Sequence, residues 1–508
     1  MQTNNQEFQR QFDALQSKFA EQYRQVFENK LAPKTIVVIP SLTLDHEILS
    51  KIKGHFYYEE RMLCMLMLLR MPETRVTFVT SIPISPLIID YYLHMLPGIT
   101  QHHARSRLTL LSCYDSGNLP LTNKILNRPR LIKRIRQSIP DSDAAHLVYF
   151  NTTDAEKELA IKLNIPMYAC DPSFNYLGSK SGSRSVFKEC GVNLPPGYED
   201  LYSESDLFRA LTKLRIDYPH ISKAVVKINE GFSGDGNAIF VYPDISMEYD
   251  ALYQWIQDHK HAQLKIVAKK LSYDHFIEKI IKTGGIVEAF VTGTEVTSPS
   301  VQCRINPLGE VCVISTHDQV LSGENQQIFA GANFPASDEY SVELSEITKK
   351  IGQTLRDKGA LGRFGVDFMS VKSDDGWNHY AIEINLRKGG TTHPFLMLQF
   401  LTEGYYDSDL GSYVLPDGRT RYYFATDNLQ NDAYKGLTPL DLIDIAMHHA
   451  LHFDHTKCEG VMFHIISALS QYGKLGLVSI ASSPQKAIEY YQRVIDVLND
   501  ETLPLKQD

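Results

Sequence analysis

The chain has 508 residues, 51 basic against 60 acidic, for a formal charge of −9 with 43% apolar content. A length of this kind holds roughly two to four domains with real cores, and the acidic balance argues against nonspecific nucleic-acid binding while leaving local cationic sites for small anions. Seven scattered cysteines without a C-x-x-C pair exclude a disulfide framework and a zinc knuckle. There is no signal-peptide layout and no run of the ~18 apolar residues that a membrane span needs, so a soluble cytoplasmic protein with reduced thiols is expected.

Residues 1–30 place Phe8, Phe12, Leu15, Phe19, Tyr23 and Phe27 at steps of three and four, which predicts an amphipathic helix. About three heptads are few for a coiled coil. The helix is therefore expected to dock on its own domain, with a homodimer seam as the other reading. Over residues 31–170 the runs TIVVIP, VTFVTSIP, LTLLSCYD and HLVYF alternate with helical stretches, the pattern of a Rossmann-like, mostly parallel α/β domain. Its first strand ends in IPSLTLD, without G-x-G-x-x-G, and G-x-x-x-x-G-K-[ST] occurs nowhere. Both the dinucleotide fingerprint and the P-loop are absent.

After residue 170 the rhythm changes to hairpins: AVVKIN, AIFVYP, KIVAKK, FIEKII, GIVEAFVTG, SVQCRI, EVCVIST, FGVDFMSV and YAIEINL read as strands. One helix interrupts them, with Leu344, Ile347, Ile351 and Leu355 on one face. The tail 431–508 reads as helix, two short strands around QYGKLG, and the helix PQKAIEYYQRVIDVL.

Two segments carry chemistry. In GRFGVDFMSVKSDDGWNHYAIEIN the SDDGW turn predicts an antiparallel hairpin. A turn centred on Asp375 sets Asp367 opposite Glu383, with Asn385 on the same face. Two carboxylates that close repel unless a cation lies between them, and an all-oxygen set suits Mg²⁺ or Mn²⁺ better than zinc. The competing reading is a pair of hydrated carboxylates on a solvent face. In VVKINEGFSGDGNAIFVY a strand lysine, Lys227, precedes a glycine-rich loop and a second strand, so that Gly231, Gly234 and Gly236 would bring backbone N–H groups over a polyphosphate. Many hairpin loops are glycine-rich only to turn. Lysine, glycine loop and metal hairpin together describe a nucleotide site outside the P-loop class.

In this order the segments resemble the ATP-grasp superfamily. GSKSGSRSVFKECGVNLPPG is similar to the opening of its small subdomain, which puts Lys180 at the first phosphate lysine. VVKINEGFSGDGN is similar to its second lysine and glycine loop, FIEKII to its adenine linker, and GVDFM and EIN to its metal strands. The resemblance implies ATP bound by Lys180, Lys227, Glu230, Gly231, Ser233, Gly234 and Gly236, adenine by Glu278, Lys279, Ile280 and Ile281, and ribose by Glu288. It implies two Mg²⁺ ions, with Mn²⁺ as an alternative, on Asp367, Glu383 and Asn385, Glu383 bridging them. SPSVQCRINPLGEVCVISTHDQVL, GALGRFGVDFM and EINLRKGGTTHPF narrow the likeness to the peptide ligase of pheganomycin biosynthesis and its relatives. The implied architecture is α/β and α+β. It comprises an N-terminal helix (1–30), a Rossmann-like pre-ATP-grasp domain (31–170), an ATP-grasp domain (171–430, subdomains 171–284 and 285–430) and an α+β C-terminal segment (431–508).

One position departs from the family pattern. Many relatives carry arginine two residues before the metal aspartate; here that residue is Gly365, and Arg363 lies four before. Arg304, Arg363, Arg387 and Lys388 are the candidates for the cation at the transferring phosphoryl group, against solvated or structural roles for each. His317 with Asp318 is either a base for an incoming amine or a structural pair. His393, His464 and the cysteines read as structural. The implied activity is an ATP-dependent carboxylate–amine ligase that forms an amide or peptide bond through an acyl phosphate, joining a small-molecule or peptide carboxylate to an amine. The alternatives are a kinase on the same nucleotide fold and a non-catalytic ATP-binding module.

Overall fold

A computed structural model describes residues 2–43, 49, 52–230, 236–244, 248–268, 271–322 and 328–502. The helix Gln2–Gln16 and the turn of helix after it place Phe12 and Phe19 on the following domain, each ring 1% exposed. Phe19 packs on His146 and Tyr168, and the Lys157 ammonium lies 4.6 Å from the centre of the Phe12 ring. The helix thus docks on its own chain, as its short apolar stripe implies.

The α/β domain contains β1 (Lys34–Ile39), β2 (Thr74–Thr80), β3 (Leu108–Ser112) and β4 (Ala145–Tyr149), all parallel, in the order β3-β2-β1-β4. Both β1 and β4 are buried on both faces, which explains their unbroken apolar runs. Strand order reverses between β1 and β4, and the crevice beyond the carboxyl ends at such a point is where open α/β sheets bind ligands.

The small subdomain is an antiparallel sheet of β5 (Gly197–Leu201), β6 (Lys223–Ile228), β7 (Asn237–Val241), β8 (Leu264–Ile266) and β9 (Gly285–Ala289), in the order β5-β9-β6-β7-β8. KIVAKK supplies only the short β8. FIEKII is not a strand: it lies in the helix Tyr273–Thr283. Ser272 caps that helix by accepting the His275 N–H, and Phe276, Ile277 and Ile280 turn one face into the subdomain core. Gly284, at φ 82°, stops it.

The large sheet holds β10 (Val296–Thr297), β11 (Pro299–Ile305), β12 (Val311–Ser322), β13 (Ile328–Phe334), β14 (Gly362–Ser373) and β15 (Gly376–Asn385). Beyond a small ribbon of β16 (Tyr405–Asp407) and β17 (Ser412–Val414), the chain adds β18 (Tyr422–Gln430), β19 (Gly460–His464) and β20 (Lys474–Ala481). Their order is β10-β14-β11-β12-β13-β18-β20-β19, with β15 on the other side of β14. The tail strands therefore continue the sheet, because Val478 and Leu477 pair against Ala425 and Thr426. The helix Ser341–Asp357 buries Leu344, Ile351 and Leu355 completely. No helix among the described residues is long and apolar enough to cross a membrane.

Candidate active site

The hairpin β14–β15 turns through Asp374 and Asp375, with Ser373 paired to Gly376. That turn is half a residue earlier than one centred on Asp375 and would set Asp367 opposite Ile382. A bulge between Asp367 and Phe368 shifts the register, so Asp367 pairs with Glu383 and Gly365 with Asn385. The pairing inferred from the sequence holds, by way of a bulge that its charge pattern does not announce.

Asp367 Oδ2 accepts from Asn385 Nδ2 at 3.0 Å, and Oδ1 accepts from Gln319 Nε2 at 3.0 Å. Glu383 Oε1 accepts from Lys180 Nζ at 2.5 Å. Lys180 is the first residue of the helix Lys180–Cys190, whose start is fixed by Ser179 accepting the Gly182 N–H. Burial first, and then the neighbouring Glu383 charge, push the Asp367 carboxyl up to about 6. Burial would raise Glu383 too, but Lys180, with Lys227 and Arg387 behind it, outweighs that and holds it below its ordinary value. Two oxygen acids compressed in this way, with an amide oxygen available on Asn385 and neither thiol nor imidazole among the described residues that line the cleft, fit a hard divalent cation.

These residues line a cleft of about 520 Å³. Lys227 and Glu288, an ion pair between β6 and β9, form another wall, and Gly236, Phe290 and Val291 extend it. Glu288 is 3% exposed, and its second oxygen accepts from Arg184 Nη1 at 3.3 Å. Leu42 and Phe150, just past β1 and β4, close the α/β side at the strand-order switch. Arg387 also lines the cleft. Burial lowers its affinity for the proton, while Glu383 and Asp367 act the other way.

Several sequence-based assignments are corrected. Glu278, Lys279, Ile280 and Ile281 do not line the cleft: they belong to the helix Tyr273–Thr283, where Ile280 is core and Ile281 is 55% exposed. The cleft takes its apolar wall from the next segment, Ala289, Phe290 and Val291. Glu230 is exposed and off the cleft lining, and Gly231, Ser233 and Gly234 lie outside the described residues. Arg304, Arg363 and Lys388 are likewise off it. Lys388 instead donates to the Tyr149 carbonyl at the end of β4, and burial, with Arg363 nearby, pulls its ammonium down to about 7.

His317 is no base for the cleft. It is fully buried beside Tyr423, with 2.7 Å between Nε2 and the hydroxyl oxygen, and burial drives it down to about 3. Asp318 is occupied by the Tyr340 hydroxyl and the Ser337 N–H. His393 and His464, expected to be structural, both sit against Asp427 Oδ1 at 2.8 and 2.7 Å, and the three buried side chains lie close enough together to share a metal ion.

The structure also adds residues. Ser300 and Gln302 of β11 and Gln319 of β12 face the cleft, and their signal was a polar residue at every second position of an apolar strand. Arg61 enters from the run His55–Arg70, stacked on Phe150 and Tyr58 and paired to Asp427 at 3.2 Å. A lone buried arginine in an apolar stretch was its only trace.

Comparison with known proteins agrees with this geometry. Residues 173–273 and 258–409 match the family described as IQCH-like, ATP-grasp, and residues 441–494 match the PGM1 C-terminal domain. The L-propargylglycine--L-glutamate ligase of Streptantibioticus cattleyicolor is 29% identical over 466 residues, 90% of this chain and 92% of that protein. IQ motif-containing protein H of Danio rerio is 22% identical over 92% of this chain, which spans about half (49%) of that longer protein. Among solved structures, a biotin carboxylase from Campylobacter jejuni in its beta-gamma-ATP complex aligns at TM-score 0.54 with 15% identity, over 92% of each chain. An ADP complex of N5-carboxyaminoimidazole ribonucleotide synthetase aligns at 0.51 with 14% identity, over 92% of this chain and 98% of that one. With two metal-type carboxylates and two lysines around one inter-subdomain cleft, the chain carries an ATP-grasp domain of the IQCH-like kind across residues 173–409.

Proposed function

We propose that the protein is an ATP-dependent carboxylate–amine ligase whose catalytic unit spans the α/β domain and both ATP-grasp subdomains, residues 31–430. The observation that carries this reading is the convergence of Asp367, Glu383, Asn385, Lys180 and Lys227 on one cleft. The ligase activity of the Streptantibioticus relative, aligned over 90% of the chain, supports amide formation in particular.

ATP is the first substrate. Lys180 and Lys227 would donate to its phosphate oxygens, and Asp367, Glu383 and Asn385 would hold Mg²⁺. Bound there, the metal would neutralise the triphosphate and polarise its γ-phosphoryl group. The substrate carboxylate attacks the γ-phosphorus, forming a C–O–P linkage as the bond to ADP breaks. Arg387, the cation of the four candidates that lines the cleft, faces the charge that develops. An amine then attacks the acyl carbon and expels phosphate, and Phe150, Phe290 and Phe329 make that part of the wall apolar against water. All seven cysteines are free, which supports a reducing compartment.

The test is ADP release over a panel of amino acids and short peptides, with hydroxylamine as trap. A hydroxamate product is the expected outcome. A stable phosphorylated product in its place would make the protein a kinase.

A further inference from the structure

Two imidazoles and a carboxylate meet behind one wall of the cleft. His393 stands in the first turn of the helix Thr392–Thr402, just after the cleft-lining Gly389, Gly390 and Thr391. Asp427 belongs to β18 and lines the cleft itself, and His464 ends β19. All three are buried, the imidazoles almost completely. Asp427 Oδ1 lies 2.8 Å from His393 Nε2 and 2.7 Å from His464 Nε2, and the two nitrogens are 3.1 Å apart. The ring planes cross at 71°, so the imidazoles do not stack.

The backbone departs from regularity in three places around this triangle. β18 and β20 slip register between Thr426 and Leu429, and the irregularity falls on Asp427. Its other oxygen, Oδ2, accepts from Arg61 Nη1 at 3.2 Å, which leaves Oδ1 to the imidazoles. Ile465, directly after His464, takes φ 54°, a costly conformation for a β-branched residue and one found chiefly at functional sites. Gly476 pairs with His464 between β20 and β19, and a Cβ there would fall on the imidazole.

Hydrogen bonds alone satisfy the triangle poorly. A neutral imidazole carries one proton. With both protons on Nε2, two N–H groups crowd one oxygen and each other; with one moved to Nδ1, that group is enclosed without a partner among the described residues. A single cation among three lone pairs suits the spacing better. A tetrahedral ion with bonds of about 2.0–2.1 Å sets its ligand atoms roughly 3.3 Å apart, so the three atoms here need to spread by only a fraction of an ångström.

We propose that His393 Nε2, His464 Nε2 and Asp427 Oδ1 hold a zinc ion, with water in the fourth position, at a site separate from Asp367, Glu383 and Asn385. Two imidazoles with one carboxylate are a zinc set, whereas Mg²⁺ is held by oxygen. The inference does not depend on the ligase reading. The ion would tie the helix that follows the glycines of the cleft wall to β18 and to β19 of the C-terminal segment. Asp427 gives it a way in from the cleft. Because both Nδ1 atoms lack an outer partner, affinity should fall about 10- to 100-fold short of a fully supported site.

The probe is Zn²⁺ alone, titrated calorimetrically into untagged full-length protein that has been stripped with a chelator and returned to excess Mg²⁺. One equivalent is expected to bind and to raise the melting temperature, and Asp367→Asn should leave the zinc stoichiometry unchanged. His393→Gln and His464→Gln should each weaken Zn²⁺ binding at least tenfold and remove the melting shift, while MgADP affinity within twofold of wild type shows that they fold. Where a variant does not fold, Co²⁺ in the wild-type protein decides: the strong visible absorption of a four-coordinate ion is expected, and the weak absorption of a six-coordinate ion overturns the proposal. No Zn²⁺ binding to the wild type, or binding that survives both substitutions, overturns it as well and leaves the triangle a hydrogen-bonded clamp.

Discussion

Asp367→Asn separates stability from function at the centre of the site. The carboxyl is pushed from an ordinary 3.8 up to about 6, by burial and then by Glu383. At ~1.4 kcal/mol per pH unit, that is a penalty of about 3 kcal/mol on the ionised form at neutral pH. Because Asp367 opens onto the cleft, solvent screening reduces the figure to ~1–2 kcal/mol. Asparagine keeps one acceptor oxygen for Gln319 or Asn385 and loses the other bond, at a cost of about 0.5–1.5 kcal/mol. The metal-free variant should therefore be about as stable as the wild type or up to ~1 kcal/mol more stable, on the order of 2–4 °C for a folding unit of 150–250 residues. A folded value raised above the unfolded one gives stability that is complete below about 3.8 and lost as pH climbs through about 6. In EDTA the advantage of the variant should thus be present at pH 7.5 and vanish toward pH 4. ADP-forming turnover with Mg²⁺ should be abolished at the same time. Differential scanning calorimetry with a coupled ADP assay reads both. A variant that melts well below the wild type at pH 7.5, or that turns over normally, would refute the reasoning.

Protons and metal should compete at the same carboxyl, so the apparent Mg²⁺ affinity of the wild type should fall as pH drops through about 6; isothermal titration between pH 5 and 7.5 measures it, and a flat profile would place the metal elsewhere. Lys180→Met removes the cation on Glu383 and a phosphate donor. The loss of one charge-assisted bond, ~1.5–3 kcal/mol, predicts ADP binding weakened about 10- to 100-fold, read by equilibrium dialysis. Unchanged affinity would remove Lys180 from the site.

What could be read in the sequence was the chemistry carried by neighbours along one strand or one hairpin. Asp367, Glu383 and Asn385 were legible because a turn signal and a period of two set their relation within about twenty residues, and an unsuspected bulge happened to preserve the pairing. FIEKII was ambiguous for the opposite reason. Four apolar residues in six fit both periods, and the outcome depended on Ser272 capping upstream and on Gly284 downstream. The four cations could not be sorted at all. Arg387 and Lys388 are adjacent, yet one lines the cleft and the other reaches the end of β4 in a different domain. Which end of a strand another domain covers is a long-range fact, and no local spacing carries it. Arg61, more than three hundred residues from its partner Asp427, was invisible on the same ground.

Buried charge elsewhere in the molecule is met in two ways. Arg184 is shared between Glu199 and Glu288, Lys227 meets Glu288, Arg61 meets Asp427, and Lys157 meets Asp171, while Lys34, Arg107 and Arg421 donate to backbone carbonyls. Two cross-strand pairs set like charges opposite one another: Asp367 faces Glu383 between β14 and β15, where Lys180 matches Glu383 alone, and Arg304 faces Arg363 between β11 and β14. Local rules broken without internal compensation are expected where a ligand completes the balance. At Asp367, whose carboxyl burial and Glu383 push up to about 6, a bound cation would restore that balance. A nucleotide-bound metal would supply it.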